Sequence, residues 1–432
     1  MELNPILTSV IILCILCLFK INVLFSLMIS SIVAGLLAHM PIDKIMNLFI
    51  SGMGQNSETA LSYILLGTLA AAMTHTGLAE VLALKISKFI KNNKYLLIGI
   101  LVLISVSSQN LIPVHIAFIP ILIPPLLGLM NKLKIDRRAI ACTLAFGLKA
   151  PYIAIPAGFG LIFQGLIADN MTQNGMSVLK LDIWKYSWIL GFAMFIALLI
   201  AIFISYRKPR IYKETSSVNE EKNLNPKFEK KHYITLLVAV VTLIIQLISG
   251  SLPLGALVGL IVIFGLRAVS HHKMDFLINE GVGLMGYIAF VMLVCAGYAL
   301  VLKESGGVES LVNSLMPFII HSKFLAASAM LLIGLIITIG IGSSFGTIPI
   351  LAVLFVPLCI KLGISTPATI VLMCAAAALG DAGSPASDTT LGPSAGLNAD
   401  GQHDHIKDTC IPTFIHYNSA LIIAALIAVY IF

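Results

Sequence analysis

Two charged residues stand inside or beside long apolar stretches of this 432-residue chain and pose its first chemical question. Lys149 follows Arg138 by eleven positions within the apolar run 138–158, roughly 16 Å along a helix at 1.5 Å per residue. An ionisable group at such depth in an apolar layer is expensive, and it marks a functional site unless a structural ion pair holds it. Asp381, at the end of the run 365–382, is the natural partner in either case. A Lys–Asp pair that opens when an ion or a proton binds is itself a coupling device, so the two readings overlap.

The segment beginning at Asp381 is the richest in the chain. Gly380, Gly383 and Pro385 interrupt a helix and free backbone carbonyls,. Asp381, Ser384, Ser387, Asp388, Thr389 and Thr390 place hydroxyl and carboxylate oxygens beside those carbonyls. Hard oxygen donors of this kind suit Na+; the alternative is an ordinary polar loop. Asp381 and Asp388 are also proton-carrier candidates. His403-Asp404-His405 does not match a transition-metal site, because positions i and i+2 do not share a helix face and no Cys/His partner follows at ligand spacing,. A loop cap or gate fits it better, and no metal beyond a transported Na+ is expected. His115 is either a proton carrier, by its ordinary pKa near neutrality, or a hydrogen-bonded packing residue; His416 reads as interfacial.

A second pattern occurs twice. Residues 107–113 read Ser-Ser-Gln-Asn-Leu-Ile-Pro and 343–349 read Ser-Ser-Phe-Gly-Thr-Ile-Pro, giving S-S-x-x-x-I-P at an offset of 236. Gly147-Leu148-Lys149-Ala150-Pro151 has a looser counterpart in Gly380 to Pro385, at an offset of 234. Two matches in the same order imply duplication. The first motif contributes Ser107, Ser108, Gln109 and Asn110 as candidate ligands, and the second Ser343, Ser344 and Thr347. Gly342 to Gly346 also fits the hydrolase pattern G-x-S-x-G, but its repeat-mate at 106–111 lacks both glycines. No phosphate loop and no H-E-x-x-H occurs, so the chain reads as neither an ATP-driven pump nor an enzyme,.

These residues need elements to carry them. The chain is 58% hydrophobic and 11% charged, with mean hydropathy +1.00, whereas soluble domains average about 25% charged. So much apolar surface requires lipid as solvent, and the length allows roughly ten to twelve crossings. The net charge of +7 does not point to nucleic acid, since Lys and Arg cluster in short stretches between apolar runs. The seven cysteines show no paired metal-ligand spacing,. No cleavable signal peptide is evident at the N-terminus, which reads as the first helix.

The charged segment 207–231 is the one clear linker and separates residues 1–206 from 232–432. Reading 95–128 and 324–362 as re-entrant hairpins with polar tips leaves five crossings per half, an odd number, so the halves are inverted. Twenty of the 27 Lys and Arg then fall on the linker side and six on the other, with Lys149 left inside. That asymmetry puts the linker in the cytoplasm and both termini outside. The fold class is therefore an all-α polytopic membrane protein of two inverted repeats, each of five transmembrane helices with a re-entrant hairpin and a broken helix. Such repeats with a midplane site are the architecture of secondary transporters.

Paired polar hairpin tips, each followed by a broken helix, resemble the ion transporter superfamily, which includes dicarboxylate/sodium symporters, citrate-transporter-like proteins and C-type Na+/H+ antiporters. The run from Gly380 to Asn418 is similar to bacterial proteins described as Na+/H+ antiporters, some of which appear with histidine as cargo. The resemblance implies a bacterial inner-membrane secondary transporter working by alternating access, with Na+ and H+ as coupling ions and a tendency to form homodimers. It also implies an ion site in each half: Ser107 to Asn110 with Lys149 and Pro151, and Ser343 to Thr347 with Asp381 to Thr390. The superfamily's symporters carry Ser-Asn-Thr at these tips, where this chain has Ser-Ser-Gln and Ser-Ser-Phe. Na+/H+ antiport is the expected activity, with a Na+- or H+-coupled permease for a histidine-like amino acid as the alternative.

Overall fold

The structure is a computed structural model that describes the chain except residues 1–3, 20, 79–80, 82–84, 86–92, 111–118, 214–227, 308–321, 342 and 386. Among the described residues it is helical throughout, with no strand. The helices are α1 Pro5–Leu18, α2 Val23–Leu37, α3 Ile42–Gln55, α4 Ser57–His75, α5 Lys94–Asn110, α6 Arg137–Ala154, α7 Phe159–Gln173 and α8 Trp184–Ser205. After the linker come α9 Lys230–Ser249, α10 Leu252–Gly265, α11 Met274–Glu304, α12 Lys323–Ile341, α13 Ser344–Lys361, α14 Thr366–Ala378, α15 Asp388–Leu397 and α16 His405–Ile431. Five of the described helical stretches are long and apolar enough to cross a membrane, six if α6 and α7 count as one span bent by 48°.

Burial sorts these helices into an inner and an outer set. Every residue from Ala139 to Ile153 of α6, from Ala368 to Ala378 of α14 and from Ser344 to Val356 of α13 is buried. In α9 only a third of the apolar window is covered by protein, so its remaining face is left to lipid. Within the bilayer no hydrophobic force separates helix from lipid, so close packing of small residues drives association. The crossing of α4 and α11 shows this: a Cβ added at Gly281 would lie 2.3 Å from the Thr68 nitrogen.

Two sequence expectations are corrected here. Ser107 to Gln109 do not form an irregular tip but complete the last turn of α5. Ser105 and Ser108 make this tolerable by donating their hydroxyls back to the Leu101 and Ser105 carbonyls, each at 2.7 Å,. The helix break in the first half is not at Lys149–Pro151: α6 carries both residues in helical conformation and ends at Ala154, with Gly158 at φ +55 before α7. The segment 159–173, which lies beyond the apolar run 138–158, forms the buried helix α7. Over the expected second hairpin, 324–362, the chain forms α12 and α13, with α13 starting at Ser344 beneath the N-cap Ser343 and itself long and apolar enough to cross a membrane. Of the rest of the first expected hairpin, residues 111–118, including His115, lie outside the described residues, and the chain resumes in short helical turns at Ile119–Leu122, Pro124–Leu126 and Leu127–Lys132.

Candidate functional site

α6 brings Lys149 and Tyr152 to one face, three residues apart,. The helix begins at Asp136, whose side chain accepts from the Arg138 N–H at 3.0 Å, as an N-cap does. Against this face α14 ends at Ala378 and the chain turns sharply. Gly380 takes φ +78, and a Cβ there would lie 2.7 Å from both the Ile339 nitrogen and the Leu335 carbonyl. Only glycine fits so close to α12 in that conformation. Asn418 of α16 fixes the turn, accepting from the Gly380 N–H at 3.0 Å and donating to the Ala382 carbonyl at 2.8 Å.

The turn delivers Asp381 to Lys149. The two form an ion pair in which the ammonium is fully buried and Asp381 is 5% exposed. The Ser344 hydroxyl, on the first residue of α13, donates to Asp381 Oδ2 at 2.6 Å and accepts from Lys149 at 3.1 Å and from Tyr152 at 3.0 Å. The Ser387 hydroxyl donates to the other carboxylate oxygen, Oδ1. Thr389 donates to the Asp381 main-chain carbonyl at 3.2 Å, and Thr390 donates to the carbonyls of Ser384 and, at 2.9 Å, Ser387. One carboxylate thus collects an ammonium and two hydroxyls, with main-chain oxygens beside it. A buried charge persists only when paired and hydrogen-bonded in this way.

Aromatic rings seal the pair from one side. Phe345 lies 5.0 Å from Tyr152, 5.7 Å from Phe163 and 5.8 Å from Tyr63, centroid to centroid. Tyr63 also meets Phe159 at 5.7 Å. Asp388 opens α15 half-buried, where a carboxylate complements the helix dipole,. Thr347 donates to the Ser344 carbonyl at 3.0 Å, and Ser343 caps α13 through the Gly346 N–H.

The structure therefore assembles Lys149, Ser344, Asp381, Ser387 and Thr389 into one network, with Ser384, Thr390, Ser343 and Thr347 supporting it. The first-half candidates contribute differently. Gln109, buried at the end of α5, donates to the Leu148 carbonyl next to Lys149, and its own carbonyl oxygen has no partner among the described residues. Ser108 is turned to its own helix, and Ser107 is half-buried on the same turn. Pro151 packs within α6, and its missing N–H leaves the Gly147 carbonyl without its usual helical donor,. The Asn110 side chain and His115 lie outside the described residues.

A second polar centre lies at the linker-side end of α6. Arg137, wholly buried, forms a two-pronged pair with Asp400 and donates to the Leu397 carbonyl at 2.8 Å. Its main-chain N–H donates to the Tyr212 hydroxyl at 3.0 Å. Arg210 bonds Asp408 at 2.7 Å. Residues 207–213 thus strap the end of α6 to the loop 398–404. Burial pushes the Asp400 carboxyl up, but the hydrogen bonds and charge of Arg137 outweigh this and hold it below the usual carboxylate range. His403 is buried, bonds Thr409 at 2.6 Å, and burial lowers its pKa to about 4. His405 bonds Ser394 at 2.7 Å and the Pro385 carbonyl at 3.0 Å. His416 sits within α16 against Ser205 at 2.9 Å.

Tyr152 and the aromatic seal were not singled out from sequence, although the i, i+3 spacing of Lys149 and Tyr152 was the available signal. Arg137 had counted only as a topology charge. Its burial depends on Asp400, which carries no local signal.

Comparison with known proteins places these features among relatives. Residues 143–429 match the Na+/H+ antiporter family, and residues 4–90 match a second family described as Na+-H+ antiporter. An uncharacterized membrane protein of Vibrio parahaemolyticus, VP2115, is 46% identical over 438 residues, covering 99% of each chain. YuiF of Bacillus subtilis, provisionally described as an amino acid transporter, is 49% identical over 396 residues, covering 88% of this chain and 89% of its own. MtrF of Neisseria gonorrhoeae, reported as illuminating a class of antimetabolite efflux pumps, shares the fold at TM-score 0.60 and 14% identity, over 90% of this chain and 85% of its own. The YdaH transporter of Alcanivorax borkumensis, reported to have an unusual topology, matches at TM-score 0.60 and 13% identity, over 90% and 88%.

Proposed function

The chain belongs to the Na+/H+ antiporter family, and from that premise we propose that Asp381 is the carboxylate over which Na+ and a proton-bearing Lys149 compete. Family and fold make the protein a multi-pass transporter of the bacterial inner membrane, not an enzyme. The observation that carries the finer reading is the buried Lys149–Asp381 pair, ringed by the hydroxyls of Ser344 and Ser387. Those hydroxyls and the Asp381 carbonyl are the oxygens a Na+ ion would take over on entering. Na+ on the carboxylate leaves the ammonium unpartnered in a dry interior, where a lone charge is costly. Lys149 then gives up its proton, and the exchange is one Na+ for one H+.

A second reading has its own support. Ser343 and Ser344 begin an 18-residue helix facing Lys149, and a helix N-terminus beside an ammonium suits a carboxylate group. The description of YuiF points the same way. In that reading the hydroxyls and Lys149 hold the carboxylate of an amino acid, and Na+ or H+ drives its uptake.

Purified protein in liposomes under an inward Na+ gradient separates the two, with lumenal pH and labelled histidine followed together. Antiport gives lumenal alkalinisation without histidine entry. Histidine accumulation dependent on Na+ or H+ instead establishes the permease.

A further inference from the structure

A shallow open cleft lies at the linker-side ends of α5, α6 and α8, and the transport reading does not use it. We propose that it holds the phosphate headgroup of an anionic phospholipid. Four cations line it: Lys94, Lys134, Arg207 and Lys208, with the rings of Tyr95 and Tyr206 between them. The lining also includes the carboxylate of Asp136, but that group is already taken. Arg138 grips both of its oxygens, at 3.1 and 2.7 Å, and Arg210 stands 3.8 Å away. Among the described residues none of the four lining cations pairs with a carboxylate; Lys94 reaches only the Arg207 carbonyl at 3.4 Å and the Tyr95 ring at 4.9 Å. Lys134 also stands exposed at φ +51, in a left-handed turn where Gly or Asn is the easier residue,. The cleft therefore presents unspent positive charge, together with Arg and Lys donors of the kind that bind phosphate.

The surroundings choose a lipid over a free anion. The same helices that form the cleft continue into the bilayer with exposed apolar side chains: Leu96 and Leu103 on α5, Phe203 and Ile204 on α8. Tyr95 stacks on Phe203 at 5.2 Å, joining the mouth of the cleft to this strip. Acyl chains lie along the strip when the headgroup is seated. A soluble phosphate has no use for it. Basic pockets between transmembrane helices at the cytoplasmic face are recognised sites for acidic headgroups.

The test uses the full-length protein in neutral detergent, offered phosphatidylglycerol or cardiolipin in competition with phosphatidylcholine, with bound lipid counted by native mass spectrometry. Wild type retains the acidic lipid over the neutral one. Each of Lys94→Gln, Lys134→Gln, Arg207→Gln and Lys208→Gln weakens retention about fivefold, and the quadruple variant loses it. Neutralising Lys230 and Lys231, also on the linker side, leaves retention unchanged. If the quadruple variant misfolds, Arg207→Gln, on the exposed strap, decides the matter alone. Retention unaffected by these changes overturns the proposal, as does equal retention of phosphatidylcholine. Equal loss in the Lys230/Lys231 control overturns it too, by showing diffuse attraction. Displacement of the lipid by inorganic phosphate at matched concentration reassigns the cleft to a small anion.

Discussion

Replacing Asp381 with Asn leaves the Lys149 ammonium buried against Ser344 and Tyr152 with no counter-charge. Removing one partner of a buried pair destabilises by about 3–5 kcal/mol, most of it the uncompensated charge that remains. Replacing both partners with apolar residues of similar volume is close to neutral by the same principle. The double variant Lys149→Met/Asp381→Leu should therefore recover most of the stability that either single change loses. It should not recover transport, because the carboxylate that Na+ needs is gone. The assay is a double-mutant cycle on protein in detergent, reading unfolding through Trp184 and Trp188 on α8, beside Na+-driven flux in liposomes. Single variants that lose less than about 1 kcal/mol and add in the double variant would show that the pair is not coupled. Wild-type flux in Asp381→Asn, with normal membrane insertion, would refute its assignment as the ion ligand.

Further perturbations probe the surroundings of the pair. Tyr152→Phe removes one donor to Ser344 and should weaken apparent Na+ affinity about fivefold while sparing the fold, by the ~1 kcal/mol of one hydrogen bond; affinity from Na+-dependent flux checks it. Arg137→Ala strands Asp400 and the Leu397 carbonyl and should destabilise by about 3–5 kcal/mol; Arg137→Lys restores little, because a single ammonium cannot reproduce the two-pronged contact, and thermal unfolding ranks the three. His403 is held neutral to about pH 4 by burial. The unfolded chain binds its proton from about pH 6.5 downward, so stability should fall as pH drops from about 6.5 to 4. Hydrogen exchange in 398–408 should rise over that window and flatten in His403→Gln.

Lys149 and Asp381 were legible because a charge inside an apolar run has few explanations, and the near-repeat of their segments set one beside the other despite a separation of 232 positions. The broken element at 380–387 was equally readable from Gly380, Gly383 and Pro385. What stayed hidden depended on protein replacing lipid as the surroundings. Gln164, Asp169 and Asn170 interrupt the apolar signal of α7, yet the helix is buried, and Gln164 donates to the Ile153 carbonyl at 3.1 Å. The position of the break at 155–158 was obscured by Pro151, which α6 accommodates without ending. Arg137 looked like a surface topology charge until Asp400, 263 residues away, closed over it.

The central claim, that Na+ and Lys149 compete for one carboxylate, is tested most directly by counting protons. Na+ is titrated into purified protein in lightly buffered solution while pH and heat are recorded together. The account predicts about one proton released per Na+ bound, and no Na+-dependent release in Asp381→Asn. Na+ binding without proton release, or release that survives in that variant, would contradict it.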